Sequence, residues 1–198
     1  MRIAEGGEIQ VKGPLNTKGY LHMPAETAAL FTDDGWLKTG DIGVFDDEGN
    51  VKITGRIKEL LITAGGKNVA PVELEHLIGG IPGVGQVVVV GDRKPYLAAL
   101  VTLDPEGIAT LRERIGVAGG SARELTSNRK LRDYLEDQIE RQCNAKVARY
   151  QTIKKFEVLP EEFSVEGGEL TATMKLRRSV ITDKYAAVID GFYADGAG

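Results

Sequence analysis

The sequence predicts an α+β fold: a small β-rich N-terminal piece over residues 1–57, a compact domain over 58–190 with a three-stranded sheet flanked by helices, and a tail over 191–198. Three observations predict it. Before Lys58 the chain is dominated by period-two alternation and by Gly, Asp and Asn turn residues, which favour short strands. After it, residues 87–90, 97–103 and 153–159 are apolar runs of strand length. Around those runs apolar residues recur at helical spacing, as in Leu131, Leu135, Ile139 and Cys143.

Taken in order, residues 8–12 alternate polar and apolar, with Ile9 and Val11 on one face of a half-buried strand. The stretch 6–13 has no preceding strand to pair with, as though the chain had been cut from something longer. Pro24 suits a first helical turn, so 25–31 reads as a short helix ended by Asp33, Asp34 and Gly35. Residues 42–45 and 51–54 flank Asp46, Asp47, Glu48, Gly49 and Asn50, the composition of a hairpin turn that needs positive φ. A short apolar strand at 60–62 runs into Gly65 and Gly66, and Pro71 opens a helix through Leu74, Leu77 and Ile78 that Gly79 and Gly80 stop.

Unbroken valines at 87–90 point to a central strand buried on both faces, with 97–103 as its neighbour across Gly91, Asp92 and Pro95. Asp104 reads as a helix N-cap, Pro105 as the first helical residue, and Ile108, Leu111 and Ile115 as the buried stripe. Residues 116–121 read as a flexible connection, and Ser127 or Asn128 opens an amphipathic helix on whose buried stripe Cys143 is core filler. A third strand follows at 153–159, and one final helix spans 178–192. The division near Lys58 rests on a change of pattern, since no Pro/Gly/Ser linker marks it.

Composition narrows the function. A chain of 198 residues with 42% hydrophobic and 27% charged residues holds one good-sized core or two small ones. A net charge of −4 gives no field for DNA or RNA, so any anion site must be local. Cys143 as the only cysteine excludes an internal disulfide, and two histidines speak against a zinc site; no metal is expected on the protein's own side chains. The N-terminal residues lack the apolar core of a signal peptide, and no apolar run nears the ~20 residues of a membrane span, so a cytoplasmic protein is expected.

Four local patterns can carry chemistry, each with a plain structural alternative. Thr39, Gly40 and Asp41 place a carboxylate in a turn, where it can accept from both hydroxyls of a ribose or simply satisfy its own backbone. Arg56 and Lys58, two apart in a strand-like segment, face one phosphate or one acidic partner, or form a solvated strand face. Gly65, Gly66 and Lys67 allow close backbone approach to a phosphate or a thin linear ligand, or make an ordinary turn; the spacing of a P-loop is absent. Lys175, in a Thr-flanked loop, can meet negative charge developing on a phosphoryl or carboxyl oxygen, or be one more surface lysine.

These patterns share one ligand type, and in order along the chain they resemble a family. GEIQVKGP, GYL, GWLKTGDIG, GRIKELLITAGGKNVAPVELE and ELTATMKLRR look like successive motifs of the adenylate-forming superfamily, specifically acyl-CoA synthetases of the long-chain fatty acid type. The resemblance implies a two-step reaction, with attack of a fatty acid carboxylate on ATP, assisted by Mg bound through the ATP, and then thioester formation with CoA. It implies ribose binding by Asp41, nucleotide contact by Arg56, a hinge at Lys58, a pantetheine path along Gly65, Gly66 and Lys67, and charge stabilisation by Lys175 in the first step. Many members have Pro where Ala172 stands, which implies a less rigid loop around Lys175.

Such enzymes carry a large N-terminal domain with the phosphate loop and acyl pocket, so this chain is expected to be the C-terminal part of one, to meet fatty acid, ATP and CoA through that domain, and to be inactive alone. Two other readings stay open: a stand-alone nucleotide- or CoA-binding or regulatory module acting in trans, and the same portion of an aryl- or amino-acid-adenylating enzyme.

Overall fold

The computed structural model describes residues 1–119 and 121–194. They fall into two compact units, one spanning Met1–Leu60 and one running on from Leu61. Lys58 therefore packs with the first unit, two residues short of the junction.

The first unit is an antiparallel sheet of β1 (Arg2–Ile3), β2 (Glu8–Val11), β3 (Leu37–Phe45) and β4 (Val51–Arg56) in sequential order, with helix α1 (Pro24–Leu30) between β2 and β3. The strand expected to lack a partner has one, because Arg2 and Ile3 pair with Gln10 and Ile9. Two residues are too few to show an alternating pattern, which is why the sequence hides β1. Pro24 sits in the first turn of α1, and Asp46 Oδ1 closes the β3–β4 hairpin by accepting from the Glu48 and Asn50 amides.

The second unit begins with a hairpin of β5 (Leu61–Ile62) and β6 (Asn68–Val69), followed by α2 (Pro71–Gly79). Its sheet contains β7 (Val84–Val90), β8 (Leu97–Leu103) and β9 (Ile153–Val158), with β7–β8 antiparallel and β8–β9 parallel. The central strand is thus β8, all of whose residues are buried, and the valine run lies on an edge. Helices cover that edge strand on both faces, so burial alone could not tell it from a central one.

Alternation along the sheet separates two apolar layers. Val87, Val89, Leu97, Ala99 and Val101 meet Leu74 and Ile78 of α2, Leu111 of α3 (Ile108–Ile115), and Leu131, Leu135 and Ile139 of α5 (Arg129–Gln142), with Cys143 fully buried beside them. Val88, Val90, Ala98 and Leu100 meet Phe163, Leu170, Ile181 of α6 (Arg178–Lys184) and Phe192 of α7 (Ala186–Tyr193). The expected three-stranded sheet flanked by helices is therefore present.

Three local expectations are corrected. Helix α3 starts at Ile108, not Pro105, because Asp104 Oδ1 accepts from the Glu106 amide and holds 104–107 in a turn. Part of the expected connection runs into α4 (Ala122–Thr126), capped reciprocally by Ser121 and Glu124; Gly120 lies outside the described residues. The final helix is broken at Tyr185 into α6 and α7, and residues 191–193 of the expected tail form the last turn of α7, with Phe192 buried. Residues 195–198 lie outside the described residues.

Candidate functional site

Thr39, Gly40 and Asp41 lie within β3 as a bulge, not in a loop between elements. Glu8 pairs with Ile42 and Gln10 with Lys38, so three residues of β3 stand opposite Ile9 alone. The excess is absorbed at Gly40, whose φ of +72° suits glycine, while Thr39 Oγ1 donates to the Ile9 carbonyl at 2.7 Å. Glu8 Oε1 accepts from the Gly40 amide at 3.3 Å, and Thr39 Oγ1 accepts from the Asp41 amide at 3.1 Å. The motif is thus an ordered feature of the sheet.

Across the hairpin Asp41 pairs with Arg56, and Arg56 Nε stands 2.8 Å from Asp41 Oδ1. The closest approach of the ion pair is at Asp41 Oδ1, and the Asp41 side chain is 23% exposed. Arg56 ends β4, and a single 3₁₀ turn over Ile57–Glu59 follows. Strand alternation therefore does not relate Arg56 to Lys58, contrary to the expectation from their spacing. Both nevertheless line one open depression of about 850 Å³ on the first unit, together with Thr39, Gly40, Glu8 and Tyr20.

In the second unit Gly65, Gly66 and Lys67 cap the β5–β6 hairpin and are exposed. Thr63 organises the turn: its carbonyl accepts from Gly66 at 2.8 Å, and its hydroxyl accepts from the Lys67 amide at 3.2 Å. The hairpin is pinned to the β7–β8 connection, where the Ile62 amide donates to Asp92 Oδ1 and the Arg93 amide to the Ile62 carbonyl.

Lys175 lies at the end of a small loop closed by an antiparallel bridge between Leu170 and Leu176. Thr171 holds this loop from inside. Its amide donates to the Lys175 carbonyl at 2.9 Å, its carbonyl accepts from the Met174 amide, and its hydroxyl accepts from the Lys175 amide at 3.0 Å. Met174 takes a left-handed φ of 60°, so the loop is tightly wound even with Ala172 in place of a proline. Lys175 itself is exposed, and its ammonium makes no ion pair among the described residues.

The stem of that loop rests on Glu169, which is 1% exposed. Its carboxylate accepts from Lys184 Nζ and from the Ser164 amide, and its carbonyl accepts from the Arg177 amide at 2.7 Å. Burial pushes the Glu169 carboxyl upward, but the Lys184 bond and the Ser164 amide outweigh it and hold the pKa below the usual range. Sequence reasoning missed Glu8, Glu169 and Lys184. Glu169 carried a signal, since it opens the Lys175 motif, whereas Lys184 lies a helix away and carried none. Among the described residues no three His, Cys, Asp or Glu side chains are grouped to hold a metal, and no helix is long and apolar enough to cross a membrane.

The fold is that of adenylation domains: the A domain of a carboxylate reductase from Mycobacterium chelonae superposes with a TM-score of 0.76 at 29% identity, over 95% of this chain and 28% of that one. The profile described as AMP-binding enzyme C-terminal domain matches residues 58–197, and the chain belongs to that family. The long-chain-fatty-acid–CoA ligase FadD15 of Mycobacterium tuberculosis is 42% identical over 194 residues, 98% of this chain and 32% of its own length. Human long-chain-fatty-acid–CoA ligase ACSBG1 is 37% identical over 210 residues, 97% of this chain and 29% of its own. The A domain of a carboxylic acid reductase from Segniliparus rugosus, solved with AMP and a carboxylic acid, superposes with a TM-score of 0.76 at 26% identity, over 96% of this chain and 28% of that one. The chain spans about a third of the length of the curated relatives it matches.

Proposed function

We propose that these residues serve as the C-terminal part of an ATP-dependent fatty acid CoA ligase, in which a carboxylate is adenylated and then passed to CoA as a thioester. The observation that carries the reading is the Lys175 loop: a cation with no ion pair among the described residues, held at the closing end of a loop that Thr171 fixes from inside, in a chain similar to long-chain-fatty-acid–CoA ligases and to an A domain solved with AMP and a carboxylic acid. A lysine so placed meets negative charge between carboxylate and phosphate without first breaking a bond to the protein.

In the same reading Asp41 Oδ2 accepts from the ribose hydroxyls of ATP or AMP, and Arg56 both orients Asp41 and contacts the nucleotide. A half-buried, ordered carboxylate whose neighbours Gly40 and Arg56 line a large depression fits such a ligand. Magnesium would arrive on the phosphates of ATP, and among the described residues no three His, Cys, Asp or Glu side chains are grouped to hold it. CoA runs along Gly65, Gly66 and Lys67, where bare backbone on an exposed turn leaves room for a narrow chain. Lys58, in the 3₁₀ turn before the junction of the two units, is the hinge about which the second unit presents Lys175 and then the Gly65–Gly66 turn. The protein acts in the cytoplasm.

Fatty-acid-dependent pyrophosphate release tests this. None is expected from the chain alone, and release is expected when the N-terminal two-thirds of a relative such as FadD15 is supplied. Robust turnover by the chain alone would contradict the reading, and tight AMP or CoA binding without complementation would favour a regulatory module acting in trans.

A further inference from the structure

Arg178, the first residue of α6 and three positions beyond Lys175, is clamped to Glu75 of α2. Nη1 donates to Oε1 at 2.7 Å and Nη2 donates to Oε2, a two-armed pair with side chains only 21% and 11% exposed. Glu75 Oε1 also accepts from the Val89 amide at 2.8 Å. Val89 belongs to the edge strand β7, so one carboxylate caps an outward-facing backbone donor and holds a guanidinium at once.

The placement of the pair gives it a consequence. Helix α2 follows β6, the second arm of the hairpin that carries Gly65, Gly66 and Lys67, and packs through Leu74 and Ile78 into the apolar layer on one face of the sheet. Helix α6 follows the Lys175 loop and packs through Ile181 into the layer on the opposite face. The pair crosses the free edge of β7 and joins helices of the two layers. Little packing substitutes for it there, since an open groove of about 350 Å³ lined by Val88, Val90, Arg178, Thr182 and Ile189 runs alongside.

We propose that Glu75 and Arg178 form a strut that fixes the hairpin of Lys67 and the loop of Lys175 in one frame, which makes them positioning residues for both half-reactions. The functional half of this statement rests on the roles given above to Lys175 and Lys67; the mechanical half does not. A largely desolvated, two-armed pair is sensitive to loss of one partner, because the remaining charge is left without compensation, and lysine cannot reproduce the fork of arginine.

The test is amide exchange by NMR on the full chain carrying Glu75→Gln, Arg178→Lys, or Glu75→Gln with Arg178→Met. Glu75→Gln keeps an acceptor for the Val89 amide, so it probes the charge pair rather than the strand cap. Each single variant is expected to speed exchange roughly tenfold at the Thr63 and Lys67 amides and at the Thr171 and Arg177 amides, with Leu100 and Val101 in β8 unchanged. The double variant is expected to be no worse than either single one. Acceleration confined to one loop, uniform acceleration that includes β8, or strictly additive effects would each overturn the strut. In the complemented enzyme both half-reactions are expected to slow several-fold in Glu75→Gln, and unchanged rates would overturn the positioning role. If Lys175→Ala slowed both half-reactions equally, the assignment of Lys175 would fall while the exchange result still decided the strut.

Discussion

Arg56 Nε stands 2.8 Å from Asp41 Oδ1, a pairing set by the β3–β4 register that makes these two residues direct cross-strand partners. Arg56 is 61% exposed at its side chain, so the pair adds little to stability, on the order of 1 kcal/mol or less. Its proposed value lies in orienting Asp41. Arg56→Ala is expected to leave the denaturation midpoint nearly unchanged yet weaken AMP binding several-fold by calorimetry, and Asp41→Asn to weaken it further. Equal AMP affinity in all three proteins would remove the ribose role.

Lys175→Ala is expected to slow adenylate formation in the complemented enzyme by roughly two orders of magnitude, the scale of one electrostatic donor aimed at a developing charge. Thioester formation from supplied acyl-adenylate should change little. Thr171→Val keeps Lys175 but removes the hydroxyl that accepts from its amide, and should cost a smaller part of the same step. Stopped-flow measurement of the two half-reactions separates these outcomes, and parallel loss in both would defeat the division of labour.

What was legible in the sequence follows from the range of the interactions involved. The stripe Leu131, Leu135, Ile139 and Cys143 and the strands at 97–103 and 153–158 were readable because burial imprints a local period on the chain. The order of the strands was not, since β7 is covered on both faces and its valines carry no mark of an edge. Asp41, Arg56 and Lys175 could be singled out by local spacing, and each had an ordinary alternative until the ordered set of motifs was read together. The pairs around Lys175 were out of reach: Arg178 meets Glu75 across 103 positions, and Lys184 meets Glu169 from the last turn of α6. The bulge at 39–41 looks like a turn in sequence because its glycine and threonine are the same in either setting, and only the pairing of β2 distinguishes them.

Cys143 is fully buried in the layer beneath α2 and α5. Burial, with a smaller effect from the nearby Glu73 carboxylate, pushes its thiol up to about 11. At pH 8 the folded protein is therefore expected to react with a thiol reagent orders of magnitude more slowly than the urea-unfolded chain. Rapid labelling of the native protein would show that this thiol is not core filler. Cys143→Ser should destabilise by about 1–3 kcal/mol, because it buries a hydroxyl among aliphatic side chains.

Glu169 and Lys184 set the pH range over which the Lys175 loop is held. Burial alone would raise the Glu169 carboxyl, but the bonds from Lys184 and the Ser164 amide lower it overall, while the Glu169 bond raises Lys184. A carboxylate lowered on folding contributes its full stability above its unfolded pKa near 4.5 and loses it as pH falls from there through the folded value. Lys184, raised on folding, contributes fully below its unfolded value near 10.5 and loses that contribution as pH climbs through the higher folded one. Glu169→Gln should thus lower stability at pH 7 by more than at pH 3, so the two stability curves converge in acid. Lys184→Met should narrow the same gap. Urea midpoints measured from pH 3 to 8 decide the matter: a constant offset between wild type and Glu169→Gln would mean that the buried carboxyl matters for its shape and not its charge.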